Sequence, residues 1–286
     1  MMHQSHLQKA NPLSDDITRT TTNAVRLFFG AMLMAAAPSA VLAADAEQPI
    51  PLEPAGEWRF SVAPYLWGAG LNGDVGLFGR QPVDIDMSFG DVLDDLRFGG
   101  MLVAEMHNGT WGLFGDIIYV KTEADTSAVR TVLGSPVSLD VNVETSSFTG
   151  TLMGEYRLYG SDAVSVDLMA GARIWSVDND IDASLAADGS PVADFSGSDG
   201  STWADPMIGV KARFDTGTPW FFNAWGMIGA GSSDFSWDVL GGVGYQWNDR
   251  FSTVGGYRAL GVDYSDDGFV YDVVQHGPYL GAIFNF

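Results

Sequence analysis

From residue 56 onward the chain alternates apolar and polar side chains in runs too regular for loops. Val164, Val166, Leu168, Ala170, Ala172 and Ile174 fall on one face of an extended segment, with Ser165, Asp167, Arg173 and Trp175 on the other. Residues 203–214 repeat the pattern, setting Pro206, Ile208, Val210, Ala212 and Phe214 against Asp205, Lys211 and Arg213. A period of two is that of a strand with one apolar face. Read this way, the chain predicts ten strands, near 56–70, 97–107, 111–124, 137–158, 163–179, 202–214, 220–232, 236–247, 251–264 and 269–286. Turn formers separate many of them, as at His107-Asn108-Gly109-Thr110, Tyr159-Gly160-Ser161-Asp162, Asp215-Thr216-Gly217-Thr218-Pro219 and Asn248-Asp249.

No apolar run approaches the roughly 20 residues of a membrane-spanning helix, so any crossing is made by strands. Backbone groups in hydrocarbon must be satisfied internally, which requires the sheet to close with its apolar faces outward. Trp111, Tyr156, Phe214, Trp220, Trp247 and Phe251 crowd the short turns, as a girdle at one membrane surface would. The expectation is an all-β, closed antiparallel transmembrane β-barrel over residues 56–286. A soluble ligand-binding barrel is the alternative fold, but its lumen is ordinarily apolar, the reverse of this polarity. Residues 71–96 and 180–201 read as long external loops and 233–235 as a tight turn. Eight or twelve strands are also allowed, because Gly73-Asp74 and the stretch Val83 to Met87 can add an external hairpin.

One short helix interrupts the first external loop. Ser88 can cap it, with Asp91 three residues on, while Phe89, Val92, Leu93 and Leu96 align at i, i+3, i+4 and i+7. That stripe packs either as a lid or strut on the external loops or as a partial plug in the barrel mouth.

Composition narrows the class further. There are 35 glycines, 12% aromatics and only 17% charged residues, as expected of antiparallel strands with interfacial rings. The absence of cysteine excludes disulfides, thiol nucleophiles and cysteine-ligated metals. A net charge of -22 disfavours nucleic acid, whose non-specific binding needs lysine and arginine against phosphate. Near the N-terminus Arg26, the apolar run Leu27 to Ala37 and Val41-Leu42-Ala43 make a signal peptide over 1–43 with a cut before Ala44, leaving 44–55 as a periplasmic segment. The polar leader ahead of Arg26 is long, and a true start at Val25 through an alternative codon would explain it.

The last strand sets Leu280, Ala282, Phe284 and Phe286 against Tyr279, Gly281, Ile283 and Asn285. A terminal phenylalanine on an alternating strand resembles the signal by which the barrel assembly machinery recognises outer-membrane proteins, carried here by Leu280, Phe284 and Phe286. Pro64-Tyr65-Leu66-Trp67, Ser88-Phe89-Gly90-Asp91-Val92-Leu93-Asp94-Asp95-Leu96 and Trp111-Gly112-Leu113-Phe114 resemble a recurrent family of uncharacterised proteobacterial barrels, over roughly residues 58–122. The resemblance implies a bacterial outer-membrane location among lipid and lipopolysaccharide, and carries no catalytic residue.

Candidate chemistry is sparse. His276 with Asp272 can in principle orient a serine, but spacing identifies no such serine. Asp178, Asp180 and Asp182 begin like a calcium loop, yet Ala183 and Gly189 stand where glycine and glutamate are required. Loose divalent-cation binding is conceivable at Asp263, Asp266 and Asp267, or at Asp194 and Asp199. No specific metal or cofactor site is expected. Alternation assigns Arg59, Arg157, Arg173, Lys211, Arg213 and Arg258 to the lumen alongside Glu105, Asp116, Glu155, Asp167, Asp205 and Asp238. With Trp67, Trp175, Trp203 and Trp225, these long side chains leave a narrow passage or a closed core. Three functions stay open, in this order: a narrow or selective passive channel for small solutes, a non-conducting structural or adhesive surface barrel, and a membrane-embedded enzyme.

Overall fold

The computed structural model describes residues 56–132 and 135–286; the signal peptide at 1–43 and the segment 44–55 lie outside the described residues. Twelve strands form one antiparallel sheet: β1 (Arg59–Trp67), β2 (Gly70–Gly76), β3 (Val83–Met87), β4 (Leu96–His107), β5 (Trp111–Val132), β6 (Ser135–Gly160), β7 (Val164–Ala187), β8 (Ser190–Asp215), β9 (Trp220–Gly229), β10 (Phe235–Asn248), β11 (Phe251–Asp266) and β12 (Phe269–Asn285). Pairing of β1 with β12 closes the ring. Both β1 and β2 lie along β12 in one register, Trp67 opposite Tyr279 and Gly70 opposite His276, so together they occupy a single position in the wall. The closed ring is therefore ten positions around, and β3 is an additional external strand on the edge of β2.

Two expected loops are instead strands. The segment 71–96 holds most of β2, all of β3 and one helical turn, α1 (Phe89–Asp94). The segment 180–201 is the outer half of the β7–β8 hairpin, closed by Asp188 and Gly189 at φ of 50° and 76°. That pair of positive angles is the two-residue hairpin geometry, for which Asp-Gly is a favoured sequence. At about 3.3 Å per residue the 26-residue strands β6 and β8 run roughly 85 Å, whereas a tilted strand crosses a bilayer in about 9–11 residues. Most of the excess in β5 to β8 stands outside the membrane as a four-stranded sheet. Asp178, Asp180 and Asp182 are alternate residues on the outer face of β7, not members of a loop.

The short turns carry the aromatic girdle: Trp111 lies 4.7 Å from Tyr156 between ring centroids, Trp220 5.0 Å from Tyr245, Tyr245 4.7 Å from Trp247, and Phe251 5.3 Å from Phe284. Between this girdle and the external sheet the outer surface is apolar, with Leu152, Ile174, Ile208, Val210 and Leu280 exposed. Ile174, Ile208 and Val210 belong to the apolar faces that alternation marked on the sequence.

The helix is shorter than its sequence pattern and fills no mouth. Ser88 Oγ accepts from Asp91 N at 3.3 Å and Ser88 N donates to Asp91 Oδ2 at 2.8 Å, a complete capping box. It ends at Asp94 because Leu96 already pairs with Thr122 in the wall. No residue of α1 is buried; Phe89 remains 44% and Leu93 51% exposed, and the Phe89 ring lies against Gly68. The helix is thus a strut, not a plug. Hydrogen bonds from the Ser88 hydroxyl and amide hold the Asp91 carboxyl below the usual carboxylate range. Because its folded pKa is depressed, the cap's contribution is present above the unfolded value of about 3.9 and lost as pH falls through the lower folded one. We expect Ser88→Ala to speed amide exchange at Asp91 and Val92 roughly fivefold at neutral pH, with the unmodified helix losing the same protection only in strong acid. Equal exchange in both proteins would contradict the cap.

Candidate functional site

The lumen is packed in three layers. In the middle one, Arg258 from β11 reaches Asp238 Oδ2 at 2.7 Å, Asp116 Oδ2 at 2.6 Å and, as donor, Tyr65 Oη at 2.7 Å. Tyr65 donates in turn to Asp116 Oδ1 at 2.8 Å. Arg173 from β7 reaches Asp238 Oδ2 at 2.6 Å and donates to Thr151 Oγ1 at 2.8 Å, while Trp225 Nε1 donates to Asp238 Oδ1 at 3.1 Å. The side chains of Arg173 and Asp238 are 0% exposed and that of Arg258 1%. Such burial is tolerable because both arginines pair with carboxylates and most of the layer's remaining polar atoms are hydrogen-bonded through Tyr65, Thr151 and Trp225, although Arg173 Nη1 meets no acceptor among the described residues. Trp67 and Trp225 rings flank the Arg258 guanidinium at 5.1 and 5.4 Å. Seven strands supply this layer, β1, β5, β6, β7, β9, β10 and β11, so it ties opposite walls together.

Towards the short turns lies a second ionic layer. Lys211 bridges Glu105 at 2.8 Å and Glu155 at 2.6 Å, and Arg157 pairs with Asp167. His107, placed in a turn by its sequence, is buried there: Nδ1 accepts from Gly109 N at 2.8 Å and Nε2 stands 3.4 Å from Asp167. With Nδ1 accepting, a neutral ring carries its proton on Nε2, facing the carboxylate.

Towards the external sheet the lumen holds a cluster of rings. Trp203 stacks on Tyr264 with centroids 4.0 Å apart and planes 2° from parallel, Trp175 stacks on Trp203 at 5.8 Å, and Tyr271 and Phe269 pack edgewise or tilted against them. Ser201 and Tyr264 hydroxyls meet at 2.8 Å, bringing β8 directly onto β11 above the shorter β9–β10 hairpin.

Three charges assigned to the lumen network lie outside it. Arg59 has inward parity but sits at the exposed start of β1, with no ion pair among the described residues. Arg213 pairs with Asp215 at 2.7 Å and covers the Phe221 ring at 3.7 Å, half-exposed near the turn. Asp205 is fully buried yet meets no arginine; it accepts from Ser233 N at 2.8 Å and Ser233 Oγ at 2.7 Å, latching the β9–β10 turn to β8. The remaining nine assigned charges form the two layers. Trp175 and Trp203 lie in the lumen as expected, whereas Tyr65, Thr151 and the slab's Tyr264, Phe269 and Tyr271 were missed; inward parity with Trp67 was the available signal for Tyr65.

His276 points outward, where its Nδ1 meets Tyr257 Oη at 2.6 Å, and no serine among the described residues completes a relay with Asp272. Among the described residues no three carboxylates or histidines converge on one point where a metal would sit. Leu280 and Phe284 lie exposed on the outer face of β12, and Phe286, just past its end, is exposed as well.

No family profile matches the chain, and no curated protein sequence is significantly similar to it. Among solved structures, the outer membrane protease OmpT of Escherichia coli matches with a TM-score of 0.52 at 8% identity, over 84% of this chain and 99% of that one. The translocator domain of the autotransporter NalP from Neisseria meningitidis gives 0.35 at 12% identity, over 82% and 91%, and the attachment invasion locus protein Ail of Yersinia pestis 0.29 at 14%, over 81% and 99%. At 8% identity the likeness to the protease is one of fold alone. The chain has the fold of a Gram-negative outer-membrane β-barrel, and its apolar belt and aromatic girdle suit that membrane.

Proposed function

We propose that this protein is a closed outer-membrane barrel that acts outside the bilayer, as a structural or adhesive surface protein presenting the four-stranded extension of β5 to β8. The observation carrying this reading is the filled lumen: Arg173, Asp238 and Arg258 have almost no accessible surface, and the stacked slab of Trp175, Trp203 and Tyr264 lies above them. A diffusion pore needs a continuous wet path, and charged layers separated from the exterior by stacked rings do not offer one. The length of the extension supports the same reading, since strands running far past the membrane have no role in spanning it. No catalytic role is assigned. Delivery by the barrel assembly machinery is supported by the outward Leu280, Phe284 and Phe286, and lipopolysaccharide and divalent cations are the neighbours an acidic external surface would have.

A narrow, selective channel is the second reading, favoured by the two ionic layers spanning the lumen. Single-channel recording on the purified protein in planar bilayers separates the two. Silence is expected from the unmodified barrel and from Trp203→Ala. A large, always-open conductance in the unmodified protein would overturn the closed reading, and a small conductance enlarged by Arg173→Ala would favour the selective channel.

A further inference from the structure

The external wall contains a break with two open strand edges. On one side, β4 pairs with β5 only up to Leu96 and Thr122, and Glu123 N makes a last bond to Asp95 O at 2.9 Å. Beyond that point β5 runs on through residues 124–132 with β6 as its single strand neighbour among the described residues. On the other side, among the described residues β3 pairs with β2 and with no other strand. Since β1 and β2 share one wall position, β3 stands above β4 in the next position, with α1 between them, and its free edge borders the same break as that of β5. Unpaired strand edges are templates for an added strand.

The side chains on the two lips explain why they do not close on each other and what would fit between them. Asp84 and Asp86 lie on the outer face of β3, and Glu123 and Asp125 on the outer face of β5. Glu123 holds Arg97, but Asp84, Asp86 and Asp125 have no cationic partner among the described residues. Like charges brought opposite one another across a sheet destabilise the pairing. The inner face of the same lips carries Val83 and Ile85 on one side and Ala124, Thr126 and Ala128 on the other, with Arg130 following only towards the tip of β5.

We propose that this break accepts an extended polypeptide strand in which basic residues alternate with apolar ones, paired through its backbone to the free edges of β3 and β5. Its basic side chains meet the carboxylates outside and its apolar ones cover the inner face. Backbone pairing supplies affinity and the alternation supplies selectivity. The opposite margin of the extension is guarded against the same event, because the free length of β8 carries Pro191 and Pro206 and folds onto β11 through Trp203. The inference goes beyond the closed-barrel reading and does not depend on whether the lumen conducts.

The test uses the purified barrel in detergent and a fluorescent peptide of alternating valine and lysine, long enough to follow the open edge of β5. Saturable binding is expected, weakened about tenfold or more when a central valine becomes proline, which keeps the charge but removes a backbone donor and breaks the strand. The exposed substitutions Asp84→Asn and Asp125→Asn, made together, should weaken it comparably, and a valine–glutamate peptide should not bind. Absence of binding by the valine–lysine peptide would overturn the proposal. So would equal binding of the proline peptide, which would reveal only general attraction to an acidic surface, or unchanged binding to the doubly substituted barrel.

Discussion

Replacing Arg258 with alanine is expected to destabilise the folded barrel by about 3 to 5 kcal/mol, the usual consequence of stranding a buried charge's partners. Two carboxylates are affected together. Asp116 would keep only Tyr65, and Asp238 would keep Arg173 and Trp225. The loss should appear as a lowered midpoint of urea unfolding in lipid vesicles, followed through tryptophan fluorescence. Arg213→Ala is the control: its ion pair with Asp215 is half-exposed, and such pairs contribute about 0 to 1 kcal/mol. Adding Asp116→Asn to Arg258→Ala should recover part of the loss, because the second substitution removes a charge left without its arginine. A cost below about 1 kcal/mol for Arg258→Ala would mean that water reaches the middle layer, and would count against a closed lumen.

That layer shows how far the sequence was legible. Period-two alternation identifies Arg173, Asp116, Asp238 and Arg258 as inward-facing without any knowledge of register, because parity along a strand survives uncertainty about where the strand ends. Pairing across the lumen is another matter. Asp205 has the same parity and the same burial, yet lies where the short β9–β10 turn folds over β8, so Ser233 rather than an arginine reaches it. Nothing local to Asp205 announces this; it follows from the length of another hairpin. Arg59 and Arg213 fail for the complementary reason, since parity does not report depth and both lie too near the short-turn end to be enclosed.

The external sheet was hidden for a different reason. Residues 178–200 carry too few large apolar side chains to look like a half-buried strand, and their aspartates look like a solvated loop. The alternation was nevertheless present, as Asp178, Asp180 and Asp182 on one face against Asn179, Ile181 and Ala183 on the other, with Asp188-Gly189 marking the turn. Outside the membrane no lipid selects for a greasy face, so the strand signal persists while its apolar content falls away. The helix was overextended in the opposite sense: its periodicity continues to Leu96, but pairing with β5 claims that residue for the wall.

The height of the membrane on this wall yields the second large expected effect. Ile208 and Ser198 lie on the same strand, β8, and on the same outward face, ten residues apart. Ile208 is six residues from Phe214 at the girdle, close to the middle of a crossing of about 9–11 residues, and is flanked by Ala170 and Ile228. Arginine there should cost about 2 to 4 kcal/mol, the penalty for a cation on the lipid face near the midplane. Ser198 stands opposite Asp180 in the external sheet, so arginine at that position gains an exposed ion pair and should change stability by no more than about 1 kcal/mol. Refolding into vesicles, with unfolding midpoints measured for Ile208→Arg and Ser198→Arg, compares one substitution at two heights on one strand. Equal costs would show that the bilayer does not end between these residues and that the outer half of β8 has been assigned to the wrong side of the interface. Asn223→Arg supplies the third reference, because its side chain faces the lumen beside Tyr279 and escapes the lipid penalty; whatever it costs measures crowding within the barrel rather than burial in hydrocarbon.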